Sequence, residues 1–249
     1  MDYTTRVLIE KAARDAGFEI NAGSDENEFR FRSSQVPGEL VIGKLPAGYR
    51  VSVQDNAVRE ELSANFVPAK TGYTLGNGYI AVDDTLALQL LAERIFELSM
   101  WMPTRPLDVF RERIKRKPDT SEVERLVRQR VGQDVFREAL DRYWQGRCPV
   151  TGISDRALLR ASHIRPWGMC DSDDQRLDVY NGILLTAHID AAFDAALMTF
   201  DSSGTPLLSE LLSQEAREML IQVLGDRLLP LTDRHQAYLD HHRARFKSR

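Results

Sequence analysis

The chain has 249 residues, of which 43% are hydrophobic and 28% are charged, and its formal net charge is −4 at neutral pH. This is the composition of an ordinary globular protein with one or two domains, and two cysteines exclude a four-thiolate zinc site and disfavour a disulfide framework. No apolar run has the length of a membrane span, and the first residues do not resemble a signal peptide, so we expect a cytoplasmic protein.

The first hundred residues predict a small α+β domain, which we assign to residues 1–102 as a candidate module for target recognition or regulation. A first helix ends at Gly17, and a long amphipathic helix follows the capping residues Asp83 and Asp84. The segments between them predict strands and one short helix: EFRFRSS, GELVIGKL, YRVSVQD, the helical AVREELSANF, and TGYTLGNGYIAV. The two prolines of MPTRPLD mark a domain boundary or a helix break near residues 103–106.

Residues 103–145 predict a basic helical connector. Residues 101–149 contain 12 Lys and Arg against 8 Asp and Glu, although the whole chain is acidic. The main helix is expected to begin at Thr120 or Ser121 and to end at Gly146, with Gly132 interrupting its interior. Its predicted apolar stripe consists of Val123, Leu126, Val127, Val131, Phe136 and Leu140. Its other face would contact DNA phosphates, or would simply be solvated, through Arg125, Arg128, Arg130 and Arg137.

Two of the five histidines lie close together in the sequence, in SHIRPW at residues 162–167 and in NGILLTAHIDAAFD at residues 181–194. Hydrolysis of a phosphodiester requires a base that removes a proton from water, and histidine suits this task near neutral pH. It also requires positive charge beside the phosphate, which a divalent ion with open coordination positions supplies. The two segments contain candidate residues for both tasks.

The surrounding pattern predicts the order strand, loop, strand and helix. ALLRAS predicts a strand that leads into His163, and YNGILLT predicts a turn at Asn181 followed by a second strand. AHIDAAFDAAL predicts a helix on which Asp190 and Asp194 share one face. Each of these residues also has a structural interpretation, as a hydrogen-bonded histidine, a turn asparagine or a solvated carboxylate.

This arrangement resembles the bacterial HNH endonuclease family, of the ββα-metal class. The resemblance rests on RCPVTGISDRALLRASHIRPW and YNGILLTAHIDAAFDAALMTF, and it extends upstream through RLVRQRVGQDVFREAL. It implies an HNH nuclease domain at residues 146–205 and a helical extension at residues 206–249. The expected fold class is therefore α+β, with an N-terminal α+β domain, a helical connector, a ββα-metal nuclease domain and a helical tail.

The resemblance also implies roles for single residues. His163 matches the general base, and Asn181 matches the residue that supports and orients it. Many members have a metal ligand directly before the base, whereas this chain has Ser162, and this departure leaves the choice of ligands open. An oxygen-rich ligand set favours one Mg²⁺ ion, with Mn²⁺ as the alternative. The candidate metal ligands are Asp190, His188 and Asp194.

Three further residues near these motifs have two interpretations each. Arg165 is expected to reach a substrate phosphate, with a surface salt bridge as the alternative. Cys148 and Cys170 are expected to be buried apolar thiols, with a zinc site that includes His163 as the alternative.

The expected function is metal-dependent hydrolysis of DNA phosphodiester bonds, with double-stranded DNA as the partner, in restriction or defence. No membrane partner is expected, and a homodimer is left open. One alternative is a non-catalytic DNA-binding protein that retains the HNH scaffold without its ligand set. The other is a nuclease that a ligand or partner of the N-terminal domain gates.

Overall fold

The computed structural model describes residues 2–25, 27–65, 72–75, 78–102, 105–114 and 122–248. The chain forms two compact units, Met1–Met102 and Pro103–Arg249. Both combine helices with antiparallel strands, and the predicted α+β class is confirmed. None of the described helices is both long and apolar enough to cross a bilayer.

The first unit contains a six-stranded antiparallel sheet with the strand order β1-β2-β3-β4-β6-β5. Alternate residues of β2, β3 and β4 are buried, as expected where one face of a sheet packs against helices. The helices α1 and α3 contact each other, and α3 also contacts β4. The elements are α1 (Tyr3–Asp15), β1 (Ile20–Ser24), β2 (Glu28–Arg32), β3 (Glu39–Lys44), β4 (Tyr49–Val53), α2 (Asn56–Asn65), β5 (Gly72–Leu75), β6 (Tyr79–Val82) and α3 (Thr85–Trp101).

The sequence predicted every element of this unit except β1. All five residues of β1 are exposed, so this strand lacks the alternation of apolar and polar residues that identifies a half-buried strand. Gly17 has a positive φ of 100° directly after α1, as expected for a glycine that ends a helix. Residues 76 and 77 of the predicted turn, and Pro103 at the predicted boundary, lie outside the described residues.

The second unit is built around the β7/β8 hairpin. The helices α5 and α7 both contact this hairpin, and α4 packs against α5. The helices α4 and α5, which fall within the connector predicted for residues 103–145, therefore lie in the same compact unit as the hairpin. The elements are α4 (Arg105–Ile114), α5 (Glu122–Tyr143), β7 (Leu159–His163), α6 (Asp173–Leu177), β8 (Gly182–Thr186), α7 (Ala187–Asp194), β9 (Met198–Phe200), β10 (Pro206–Leu208), α8 (Gln214–Leu224) and α9 (Asp233–Lys247).

The apolar stripe predicted for α5 is only partly buried. Phe136 and Leu140 belong to the core, whereas Leu126 is 62% exposed. A helix of 22 residues is about 33 Å long, whereas each five-residue strand of the hairpin is only about 17 Å long, so only the C-terminal half of the helix can cover the hairpin. The predicted capping residues, Thr120 and Ser121, lie outside the described residues.

The C-terminal region is mostly helical, as predicted, and Pro230 lies between α8 and α9. The short β9/β10 hairpin was not predicted, because strands of three residues are too short to show a period. α9 contacts β9, and its buried His242 hydrogen-bonds Thr199 and the carbonyl oxygen of Phe193. The tail is therefore part of the core of the second unit.

Candidate active site

His163 is the last residue of β7 and pairs with Gly182, the first residue of β8. A Cβ at Gly182 would overlap the side chains of Phe136 and Leu140 on α5, so any other residue here would displace these side chains. Alternate residues of a strand point to opposite faces, and His163 faces α5 while Ser162 faces α7. The end of the hairpin therefore presents an imidazole on one face and a hydroxyl on the other.

The His163 ring is held by contacts with three residues. It stacks on Phe136, with centroids 3.7 Å and planes 15° apart, and it meets Trp167 edge to face at 5.6 Å. Its Nε2 lies 2.9 Å from the carbonyl oxygen of Arg176, and a carbonyl can only accept, so Nε2 donates the proton. Nδ1 then carries the lone pair, and among the described residues it has no hydrogen-bond partner.

Burial lowers the pKa of His163 from its ordinary value of 6.5 to about 4, and the hydrogen bond to the Arg176 carbonyl opposes part of this effect. The side chain nevertheless remains partly exposed. At neutral pH the imidazole is therefore uncharged, and its free nitrogen can accept a proton.

Asn181 is fully buried and joins the two ends of the loop between β7 and β8. Its Oδ1 accepts a hydrogen bond from the backbone N–H of Arg165 at 2.7 Å. Its Nδ2 donates to the carbonyl oxygens of Gln175 at 2.9 Å and Arg165 at 3.2 Å. Gln175 directly precedes Arg176, whose carbonyl holds the His163 ring. Asn181 therefore acts on the histidine through the loop backbone.

The Arg176 side chain fixes the same loop a second time. Its guanidinium donates to the carbonyl oxygens of Cys170 at 2.6 Å and Trp167 at 3.2 Å, and to Asp173 at 3.1 Å. Asp173 also accepts a hydrogen bond from Arg128 on α5 at 2.8 Å. The loop that contains the hydrogen-bond acceptor of His163 is therefore stabilised by hydrogen bonds within the loop and by one to α5.

Arg165 forms an ion pair with Asp171 at 3.1 Å, in accordance with the salt-bridge interpretation of this residue. Cys148 and Cys170 are free and buried, and the thiol of Cys170 lies 3.5 Å from the carbonyl oxygens of Arg165 and Pro166. Within the described part of the chain, no three His, Cys, Asp or Glu side chains come together as metal ligands.

One carboxylate of α7, that of Asp190, lies beside the Ser162 hydroxyl, and its charge acts on Asp194, four residues further along the helix. Burial raises the pKa of Asp190, while Ser162 and Arg160 lower it. Burial also raises the pKa of Asp194, and the charge of Asp190 raises it further, while Arg245 lowers it. The Ser162 Oγ is buried and close to Asp190, but it forms no hydrogen bond of regular geometry with a described residue. Asp190 is therefore close to both the Ser162 hydroxyl and the Asp194 carboxylate.

His188 is not brought together with these oxygen atoms. It is two residues before Asp190 on α7, so the two side chains leave the helix about 200° apart. Its Nε2 is buried and has no hydrogen-bond partner in the described structure. Asp190 and Asp194, four residues apart, lie on one face as predicted.

The arginines predicted to bind DNA do not share one face of α5. Arg125 and Arg128 line one cleft of the second unit. Arg130 is exposed and leaves the helix about 140° away from Arg125. Arg137 is half-buried and donates to backbone carbonyl oxygens near the start of β7.

The site therefore consists of a hairpin followed by a helix, with His163 at the end of the first strand, Asn181 before the second, and two carboxylates on the helix. Residues 148–201 match the family model of the HNH endonucleases. The second unit contains an HNH endonuclease domain. The match confirms the HNH resemblance that the sequence motifs predicted for this segment. No curated protein matches the chain.

An HNH endonuclease domain implies a nucleic-acid substrate, and HNH nucleases generally use a divalent metal ion. The matched segment begins after α5, yet this helix contributes Phe136 to the pocket of the histidine. The HNH domain of this chain is therefore completed by a helix that precedes the matched residues.

The sequence did not identify three residues that contact the histidine: Phe136, Trp167 and Arg176. The Arg176 contact uses a backbone carbonyl, for which a sequence contains no signal. Trp167 had an indirect signal in Gly132 of α5, because a Cβ at this glycine would overlap the indole ring. A glycine inside a helix often indicates such a close contact.

Proposed function

We propose that the chain is a metal-dependent endonuclease that hydrolyses phosphodiester bonds of double-stranded DNA, with His163 as the general base. The supporting observation is the hydrogen bond from Nε2 of His163 to the Arg176 carbonyl, which leaves Nδ1 as the proton acceptor. As water attacks the phosphate, Nδ1 takes its proton, and the carbonyl stabilises the imidazolium that results. A phosphate beside the ring favours the charged form, which raises the pKa of His163 towards the value that suits a base.

The oxygen atoms of Asp190, Asp194 and Ser162 fit a hard divalent ion. Two carboxylates with raised pKa values repel each other, and the buried hydroxyl of Ser162 has a lone pair available. Mg²⁺ is commonly held by one or two carboxylates together with waters and substrate phosphates, so a third carboxylate or histidine is not required. A bound ion would neutralise negative charge on the phosphate and on the departing oxygen.

The test is cleavage of supercoiled plasmid by the full chain with Mg²⁺, Mn²⁺ or EDTA. We expect cleavage by the wild type with either ion and none with EDTA. His163→Ala should reduce the rate at least about 100-fold, because general-base catalysis typically contributes a factor of 10² to 10⁴. Cleavage by His163→Ala at the wild-type rate would rule out its role as the base.

Calorimetric measurement of Mn²⁺ binding distinguishes the proposed metal ligands from the proposed general base. Asp190→Asn should weaken Mn²⁺ binding, whereas His163→Ala should leave it largely unchanged. His188→Gln serves as the matched control on the same helix, and we expect it to bind Mn²⁺ like the wild type. If His188→Gln loses the ion and Asp190→Asn retains it, the proposed ligand set is wrong.

A non-catalytic DNA-binding protein is the second candidate function. The observation in its favour is Ser162, which stands where many HNH proteins have a metal ligand. Such a protein would bind DNA equally well with and without a divalent ion, and it would not cleave the plasmid.

A role in restriction or defence, and a role of the first unit in target choice, stay predictions. Comparing the cleavage of methylated and unmethylated plasmids addresses both.

A further inference from the structure

A cleft of about 590 Å³ lies beside the loop between β7 and β8, within the second unit. Its walls come from α4, from the first half of α5, and from the loop that leads into α6. We refer to it as the arginine cleft. The lining residues include Arg125, Arg128, Trp167, Asp171, Asp173 and Arg176.

The charges of the cleft leave one arginine available for an anion. Arg128 and Arg176 both bind Asp173, at 2.8 Å and 3.1 Å. Asp171 is paired with Arg165, at 3.1 Å. Arg125 is exposed, and it has no ion pair or hydrogen bond with any residue that the structure describes. A guanidinium in this state can bind a phosphate without first breaking an existing ion pair.

Trp167 connects the cleft to the candidate base. Its ring meets the His163 ring edge to face at 5.6 Å, and the same residue lines the cleft. The indole lies directly against Gly132, where a Cβ would be 3.2 Å from Cζ2 and would overlap Cη2. Arg176 makes the same connection, since its carbonyl binds His163 and its side chain lines the cleft. The side chain of Trp167 therefore lies between the arginine cleft and His163.

We propose that the arginine cleft holds the sugar–phosphate backbone of the cleaved DNA strand next to the scissile phosphate. In this arrangement Arg125 contacts a neighbouring phosphate, and the apolar surface of Trp167 lies against the sugar. The proposal rests on the nuclease function proposed above, and it adds a subsite that positions the strand relative to His163. Contacts of this kind set the register of a protein on DNA without reading its sequence.

The first test measures binding of a short fluorescein-labelled duplex by fluorescence anisotropy, with EDTA present so that the duplex is not hydrolysed. Arg125→Ala should weaken binding about 3- to 10-fold and should reduce the slope of log K against log salt by about one. Arg130→Ala is the matched control, an exposed arginine of the same helix that does not line the cleft, and it should stay within about twofold of the wild type. Equal binding by the two variants would overturn the proposal.

The second test locates the contact on the DNA. Duplexes that each contain one uncharged methylphosphonate near the cleaved bond are compared for wild type and Arg125→Ala. For the wild type, one position next to the scissile phosphate should lower the cleavage rate, and the same position should have no further effect for Arg125→Ala. If no position behaves in this way, Arg125 does not contact the flanking phosphate.

The outcomes distinguish this proposal from the proposed function. Suppose that cleavage depends on the metal ion and on His163, but Arg125→Ala and Arg130→Ala bind the duplex equally well. This result would overturn the proposed subsite but not the proposed nuclease function. Absence of cleavage together with a specific loss of duplex binding by Arg125→Ala would overturn the nuclease and support the cleft as a DNA-binding surface.

Discussion

The chemistry of the candidate site depends on which nitrogen of His163 carries a proton. The carbonyl oxygen of Arg176 accepts a hydrogen bond from Nε2 and so selects the tautomer with a free Nδ1. Stacking on Phe136 limits rotation of the ring. The contact with the Arg176 carbonyl depends on the conformation of the loop between β7 and β8, which the side chains of Asn181 and Arg176 both stabilise.

We predict that Asn181→Ala destabilises the fold and slows cleavage. The substitution leaves the backbone N–H of Arg165 and the carbonyl oxygen of Gln175 without their buried partner, at a cost of about 2–4 kcal/mol. The rate should fall about 10- to 100-fold while Mn²⁺ binding is retained, since Asn181 positions the base and not the ion. Urea denaturation, plasmid cleavage and calorimetry measure the three effects.

Asn181→Asp sharpens this test. A carboxylate can accept from Arg165 but cannot donate to the carbonyl oxygen of Gln175, and repulsion between the two oxygens should make this variant no more stable than Asn181→Ala. Asn56→Ala, at the start of α2 in the first unit, is the control for loss of an amide side chain. Wild-type cleavage by both Asn181 variants would contradict a positioning role.

Among the elements, α5 shows most clearly why local sequence patterns predict a structure only in part. The sequence predicted a helix in this region, and α5 ends at Tyr143, three residues before the glycine, Gly146, that was expected to end it. The interruption at Gly132 looked like a weakness of the helix, because glycine is less favourable than alanine in a helix by about 1 kcal/mol. The structure explains this glycine by the indole ring of Trp167, which is 35 residues away in the sequence and lies against it.

We therefore predict that Gly132→Ala destabilises the chain, by about 1–3 kcal/mol, although helix propensity alone predicts a gain. The added methyl group would displace Trp167 from its contact with His163, so tryptophan emission should change and cleavage should slow. Trp167→Phe in the same chain should relieve the overlap and recover much of the stability.

Gly168→Ala is the matched control for this substitution, because a Cβ at Gly168 meets no atom within 4 Å. Its free energy of unfolding, measured with urea, should stay close to that of the wild type. An increase in stability for Gly132→Ala would show that the indole can move away at little cost.

At the scale of the whole molecule, the sequence predicted the α+β class, the HNH segment and the order of the elements around the histidine. It placed Asp190 and Asp194 on one helix face because helical period is a local property. It left the metal ligands open among Asp190, His188 and Asp194, since that choice requires the position of α7 relative to Ser162, which a local pattern does not encode. The contact between His163 and the Arg176 carbonyl depends on how the loop closes, which a local pattern does not encode.

The buried histidines of the second unit predict a loss of stability in weak acid. Burial lowers the pKa values of His235 and His242 from 6.5 to about 4, so the unfolded chain binds protons more readily than the folded one. This contribution to stability is complete above pH 6.5 and is lost as the pH falls towards 4, at up to about 1.4 kcal/mol per pH unit for each histidine. Urea denaturation between pH 7.5 and 4.5 measures this slope.

His235→Gln isolates one of these groups. The Nδ1 of His235 accepts a hydrogen bond from the Thr232 backbone N–H at the start of α9, and glutamine is a common residue at the same position of a capping box. The variant should lose some stability at pH 7.5 because glutamine fills the space between Tyr143, Trp144 and Tyr180 less well than imidazole. Its stability should nevertheless fall less steeply with pH than that of the wild type, so the two curves converge towards pH 4.5. Parallel curves would show that protonation of His235 does not limit the stability of the second unit in acid.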